Sequence, residues 1–486
     1  MQTWQLRRKV HYSWLIAAMS VSIVAGTALV PIVNQTLFAP LVWLGIGCVL
    51  AAIVMWRQAV VLIPVIIVAG LLIGLWRGSV LASHLVVYRA AFGHTVTLSG
   101  KVADDPDSGK HGEMVLRLSG VSISGHDVDG KVWASIGGSG NDIKRGDIVQ
   151  VQGELGEGFG SFAATMYQAK LVAAQRPQPG DVARQVRDWF ADKIRLTMTE
   201  PQASLGLGYL LGQKRALPED LQQALVVTGL THVVVASGYN LTILVRLARR
   251  LFVKVSKYLA TLSAGGMIVS FMAITGASPS MTRAGLVSGL SLAAWYYGRK
   301  FHPLVLLPFA AAITVLIDPT YAWNDLGWQL SFTAFAGVMI LAPLLQAYFF
   351  GDKKPGTVRQ ILGETVSAHI VTLPILVFAF GQFSNVAIFS NLLVLPLVPL
   401  AMLLTFVAGV GVVLLPGLAP FIGLPADSLL SYMVAVVQYF AGLSWAQATV
   451  TMQPWLVWAA YVVIIAVCVY LWRATKYDLK QTNIVE

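Results

Sequence analysis

The sequence predicts a polytopic α-helical membrane protein, of about 12 spans, with a small all-β barrel inserted after the third span. Three observations carry this. Hydrophobic residues make up 56% of the 486-residue chain and charged residues only 12%, against about 25% charged in soluble domains. Apolar runs of about 20 residues recur, which is the length needed to cross a hydrocarbon core ~30 Å thick. One stretch, residues 85–175, abandons the long run for strand-like alternation.

The amino-terminal membrane region covers residues 1–80. Arg7, Arg8 and Lys9 precede a first apolar run from about Tyr12, and Arg57 separates the second run from the third, which reads as ending at Trp76. Basic flanks mark the cytoplasmic side, so the segment after Trp76 is expected outside. The first run is too long for a leader and lacks a small-residue cleavage site, so no cleaved signal peptide is expected.

Between 85 and 175 five segments alternate: Val96-Leu98-Gly100-Val102, Met114-Leu116-Leu118, Val132-Ala134-Ile136, Val149-Val151-Gly153 and Phe162-Ala164-Met166. Five short strands with Gly and Asp turns suit the oligonucleotide/oligosaccharide-binding type of barrel. The stretch from His94 to Ala174 holds seven basic and ten acidic residues, which disfavours a phosphate-tracking groove. Trp133, Phe159, Phe162 and Tyr167 are able to stack on bases, but rings in a small barrel more often fill its core, and that is the expectation.

RPQPG at 176–180 ends the barrel. An amphipathic helix follows within 180–200, with Val186, Trp189 and Phe190 opposed to Arg184, Arg187, Lys193 and Arg195. It reads as an interfacial strut, or functionally as a basic rim that collects a polyanion. Residues 203–475 return to membrane character, and 476–486 form a cytoplasmic tail. One span is expected over Gln222–Val245. The run Val386–Leu415 is long and broken by Pro396 and Pro399, and a re-entrant piece is expected near Ala203–Gly212. Basic loops alternate with nearly uncharged ones, so the +11 formal charge reads as positive-inside bias rather than nucleic-acid affinity.

Polar residues inside these runs are the functional signal, because unsatisfied polar groups are costly in hydrocarbon. His232, Ser237, Tyr239 and Asn240 lie in TGLTHVVVASGYNLTILVR, a helix that needs either a second polar contact or a break at Gly238. Arg283 sits just inside another helix, with Ser280 or Thr282 as candidate caps. Asp318, Asn324, Asp325, Gln329 and Ser331 crowd into DPTYAWNDLGWQLS, and Glu364, Ser367 and His369 enter a further span. The plainer readings are snorkelling for Arg283, capping for Asp318 and Asp325, and satisfied interior hydrogen bonds for His232 and His369. Arg246, Arg249, Arg250, Lys254 and Lys257 form a basic cluster that positive-inside bias explains equally well.

No HxH, HExxH or CxxC spacing supports a metal, and the two cysteines, Cys48 and Cys468, each fall within an apolar run. Neither GxxxxGK[ST] nor GxSxG occurs. Ser237 and His232 on one helix would point ~140° apart. No enzyme and no cofactor are expected.

TGLTHVVVASGYNL resembles the T-G-L-x-H-h-h-x-x-S-G-h-H motif (h, apolar) of ComEC-type competence proteins. LLGQKRALPEDLQQAL, SPSMTRAG, DPTYAWNDLGWQLSF and TLPILVFAFGQFSN followed by NLLVLPLVPL are similar to further family blocks in the same order. GHTVTLSGKVADDPDSG and IKRGDIVQVQGEL look like the family's barrel domain. Asn240 departs from the family's His and Trp328 from its usual Phe, so a proton-linked role at 240 is not expected.

The resemblance implies an inner-membrane channel that passes single-stranded transforming DNA. Its passage would be lined by His232, Ser237, Tyr239, Asn240, Arg283, Asp325, Gln329 and Ser331. The barrel and the helix bearing Arg184, Arg187, Lys193 and Arg195 would form the entrance, and the five residues from Arg246 to Lys257 a basic exit. A DNA receptor outside and a helicase or single-strand-binding protein inside are expected partners. The chain ends without the metallo-β-lactamase-like domain of many relatives, so the nuclease is expected to be elsewhere or absent. Two rivals are a transporter for a smaller anionic solute and a membrane-embedded enzyme of envelope polymers.

Overall fold

The computed structural model describes residues 11–32, 38–54, 59–109, 112–123, 125–137, 142–213, 217–234, 237–276, 278–299, 302–323, 325–351, 356–477 and 479. Arg7, Arg8, Lys9, Arg57 and Asn324 lie outside them. The chain divides into two units, residues 1–182 with 304–329, and residues 183–303 with 330–486. It is mostly helical, and eight helices among the described residues are long and apolar enough to cross a membrane. The polytopic plan with an inserted barrel stands.

In the first unit, α1 (Tyr12–Leu29), α2 (Phe38–Val54) and α3 (Ala59–Ala91) pack together. Small residues set the α1–α3 approach: a Cβ on Gly74 would stand 2.2 Å from the Ile23 carbonyl oxygen, and one on Gly26 2.3 Å from that of Leu71. Close backbone contact through glycine is how helices associate where no hydrophobic force separates protein from lipid.

The helix that carries the third span does not stop at Trp76: α3 runs 33 residues, to Ala91. At 1.5 Å per residue that is ~50 Å, well beyond the hydrocarbon thickness. Arg77 does not stop the helix. Its guanidinium Nε and Nη2 donate to the carbonyls of Leu316 (2.9 Å) and Ile317 (3.0 Å), satisfying orphan acceptors at the end of α11 (Pro303–Ile317). The last turns of α3 place Leu85 and Tyr88 against the barrel core.

The barrel is built from β1 (Thr95–Val102), β2 (Met114–Ile123), β3 (Lys131–Ile136), β4 (Ile148–Glu157) and β5 (Phe162–Gln175), with two short added strands. The pairing runs β1–β4–β5–β3–β2 and closes through β2 onto β1. Only β3–β5 is parallel. Leu98, Val102, Leu116, Leu118, Val132, Ala134, Val149, Val151, Ala164 and Met166 all face inward, as the period-two pattern requires. Lys131 bonds Asp318 at 3.1 Å, so the barrel is fastened to the chain just past α11.

The second unit begins with α4 (Val182–Arg195) and the short α5 (Gln202–Leu211), buried from Ala203 onward, where a re-entrant piece was expected. Ten residues span ~15 Å, too little to cross a bilayer. Next come α6 (Glu219–Val227), α7 (Thr231–Val234), α8 (Gly238–Phe252), α9 (Lys257–Thr275) and α10 (Pro279–Tyr296). The single span expected over Gln222–Val245 is therefore corrected to three helical pieces. Gly229, at φ +70°, ends α6, and Ser237 starts α8 as its cap. The run α12 (Leu326–Phe350) holds one π turn at Gly337–Leu341, and α13 covers Thr357–Phe380. In α14 (Ala387–Leu414) a 3-10 turn at Leu395–Leu397 marks the break that the prolines foretold. The series closes with α15 (Ala419–Ala441) and α16 (Pro454–Thr475).

Candidate nucleic-acid passage

The polar centre of the second unit forms where α7 breaks into α8. Ser237 adopts extended backbone and its hydroxyl accepts the Asn240 N–H (3.4 Å), a conventional helix N-cap. Asn240 is fully buried. Its amide Nδ2 donates to the carbonyls of Tyr209 (3.0 Å) and Val233 (3.3 Å), tying α5 and α7 to α8. The amide satisfies carbonyls left open near the end of α5 and at the break after α7.

Arg283 reaches the same place from α10. The cap of that helix is Ser278, whose hydroxyl accepts the Met281 N–H, so the expectation of Ser280 or Thr282 as cap is corrected. Arg283 is 9% exposed and does not snorkel. Its Nε donates to the Ser331 hydroxyl at 2.6 Å, which in turn donates to the Ser280 hydroxyl at 3.3 Å. The guanidinium carbon lies 5.0 Å from the Phe335 ring centre and 5.9 Å from that of Phe332, within cation–π range. Among the described residues no carboxylate pairs with it. A Cβ at position 238 would stand 3.1 Å from Arg283 Nη2, so the start of α8 and this guanidinium meet.

Ser237, Asn240, Arg283 and Ser331 thus gather in the second unit. His232 stands on α7, exposed, its Nδ1 donating to the Gly229 carbonyl at 2.9 Å, and Tyr239 is 39% exposed. Asp325 and Gln329 belong to the first unit. Asp325 caps α12, its carboxylate accepting the Trp328 N–H at 2.7 Å, while Asp318 accepts from Lys131. Trp328 Nε1 donates to the Thr314 hydroxyl at 2.9 Å, a bond that a phenylalanine there cannot make.

The basic cluster occupies the other end of α8, ~17 Å away along the helix. Arg249 is buried with its guanidinium 5.0 Å from the Trp295 ring, and Lys257 approaches the same ring at 5.5 Å. Arg246 interacts electrostatically with Glu364 of α13. Arg250 and Lys254 are exposed. Two of the five cations are thus engaged by one indole, that of Trp295, which lies outside the sequence motifs.

The entrance helix is corrected in part. Arg184 and Arg187 are each only 4% exposed. Both bind Asp188, at 3.3 Å and 2.9 Å, and Gln213 donates to the same carboxylate at 3.2 Å. Val182, Val186 and Trp189 face outward instead, as an interfacial helix requires. Lys193 is half-buried, and Arg195 is exposed but paired with Asp192 and Glu200.

The expectation that the barrel's aromatic rings fill its core is also overturned. Trp133 stands half-buried between inward-facing Val132 and Ala134, so alternation turns it outward. Its ring centre lies 5.1 Å from that of Tyr167 and 5.8 Å from that of Phe159, which contacts Phe162 at 5.4 Å. Tyr167 is 61% and Phe159 49% exposed. Arg117 pairs with Trp133 across β2–β3 and holds Asp104 and Asp107 at 3.5 Å and 3.4 Å.

Fold and polar centre together define a multi-pass membrane protein with a closed barrel and cationic groups buried among its apolar helices. Residues 209–475 match the family described as competence protein, more than half of the chain, and the chain belongs to that family. Among curated relatives, "ComE operon protein 3" of Bacillus subtilis (strain 168) is 25% identical over 216 residues, 43% of this chain and 27% of that protein. An "Uncharacterized protein" of Aquifex aeolicus (strain VF5) is 26% identical over 219 residues, 45% of this chain and 49% of that protein. The matched stretch therefore spans about a quarter and about half of those relatives' own lengths. No solved structure matches.

Proposed function

We propose that the chain conducts single-stranded DNA across the inner membrane during competence. The observation that carries this reading is Arg283, a guanidinium held inside an apolar helical unit by Ser331 and two phenylalanine rings, beside a helix start, with no carboxylate partner among the described residues. Ionisable groups buried inside the helical bundles of membrane proteins mark substrate paths as a rule. Family membership supplies the context of DNA uptake.

In this reading the exposed aromatic patch of the barrel engages bases first, since stacking is indifferent to sequence. The strand then passes the Ser237–Arg283–Ser331 centre, and Arg250 and Lys254 meet it at the cytoplasmic end of α8. The barrel lies outside the cell. A receptor outside and a helicase or single-strand-binding protein inside are its partners, and the residues of this passage guide the strand rather than catalyse a reaction. The test is delivery of labelled DNA to the cytoplasm: a deletion strain loses it, wild type restores it, and Arg283→Gln lowers the restored rate at least ten-fold. Full restoration by Arg283→Gln, with normal protein levels, sinks the reading. A variant that passes DNA normally but fails to move a small organic phosphate favours the solute-transport rival.

A further inference from the structure

We propose that Arg283 and the first turn of α8 form a binding site for a phosphate-type oxyanion. The proposal deepens the DNA-passage reading and rests on it for the identity of the natural ligand, one phosphodiester of the moving strand.

Two independent features converge. The first is the start of α8, a 15-residue helix whose aligned peptide dipoles leave positive charge at its amino end. Ser237 takes up the Asn240 N–H, while the N–H groups of Gly238 and Tyr239 have no acceptor among the described residues. Free N–H groups at a helix start are a general anion site. The second is the Arg283 side chain, more than nine-tenths buried. Its Nε is occupied by Ser331 and its flat face by Phe335, which fixes the plane of the guanidinium. Nη1 and Nη2 find no acceptor among the described residues, and Nη2 abuts Gly238.

Gly238 ties the two features together. Its backbone is not among those with positive φ, so conformation does not call for glycine. Space does: a Cβ there would crowd both Arg283 Nη2 and the Ala284 methyl, each at 3.1 Å. The buried guanidinium and the positive end of α8 repel each other, and an anion between them offsets that repulsion. A tetrahedral oxyanion suits the pair, because its several oxygens accept from the guanidinium edge and from the helix N–H groups at once.

The test uses the full chain in lipid nanodiscs, titrated with inorganic phosphate at constant ionic strength and followed by thermal unfolding. Wild type gains a saturable rise in Tm that chloride does not give. Gly238→Ala and Arg283→Gln weaken the apparent affinity at least about ten-fold, since each removes a charge-assisted contact or the room for it, and Arg283→Lys retains part. No phosphate-dependent shift in wild type, or an equal shift in all variants, overturns the site. Because the wild-type titration stands alone, a variant that misfolds does not rescue the proposal. Absent phosphate binding with DNA delivery intact removes the site and leaves the passage reading. Phosphate binding without any dependence of DNA delivery on this chain keeps the site and removes the passage reading.

Discussion

Asn240 and Arg283 show how far a residue type alone carries meaning. Both stand out in the sequence because amides and guanidinium groups are rare in apolar runs, and both are central in the structure. Their partners were not legible, since Tyr209 lies 31 positions from Asn240 and Ser331 lies 48 from Arg283. Asn240→Ala should cost about 1–3 kcal/mol of stability, the usual consequence of leaving buried acceptors unmet, seen as a lower Tm in detergent. An unchanged Tm would mean the two carbonyls find other donors. Lys131 makes a prediction about pH. Burial pulls its ammonium down, but the Asp318 carboxylate more than offsets that, and the group ends above its ordinary 10.5. A raised lysine contributes stability in full below its unfolded value and loses it as pH climbs through the folded one. Wild type should therefore be insensitive near neutrality and weaken above about pH 10.5, whereas Lys131→Met should lack that alkaline loss. Parallel alkaline melting curves for the two proteins would show that the ion pair does not sense pH.

At the level of elements, the interrupted segment α6–α7–α8 differs most from expectation. Its residues are apolar enough for one span, but Gly229 in the left-handed region and the Ser237 cap divide it, and the break exposes the start of α8. The sequence hinted at this through Gly238 without deciding between a break and a second contact. The barrel teaches a related lesson. Alternation already turned Trp133 away from the core, yet its ring size argued for burial, and geometry prevailed. If the patch stacks bases, Trp133→Ala combined with Tyr167→Ala should weaken binding of a labelled oligothymidine to the full chain about ten-fold or more, given ~1–3 kcal/mol per stacked base. Fluorescence anisotropy reads this directly, and unaltered affinity would assign the patch to another role. The overlong α3 has its own consequence. Arg77→Met leaves the Leu316 and Ile317 carbonyls without their donors and should lower stability by about 1–3 kcal/mol, with the loss read as an earlier thermal transition.

Over the whole molecule, the distribution of charge predicts orientation. Basic loops alternate with nearly neutral ones, and by the positive-inside rule Lys254 is expected inside and the barrel outside. In a chain with Cys48 and Cys468 replaced, Ser161→Cys should react with a membrane-impermeant maleimide on intact cells, and Lys254→Cys only after lysis. The opposite pattern would invert the expected topology and remove the barrel as the proposed entrance.

Composition and periodicity by themselves determined that this is a multi-pass membrane protein carrying a five-stranded barrel, and ordered motifs pointed to its family. They also marked where polar atoms enter the apolar runs. These properties are local, written in runs of 5 to 20 residues. Only the folded chain decided that Arg184 and Arg187 are spent on Asp188, that Trp133 and Tyr167 face outward, and that Arg283 abuts the first residue of α8. Each of these depends on which distant backbone supplies a partner or leaves a gap, and no local pattern encodes that.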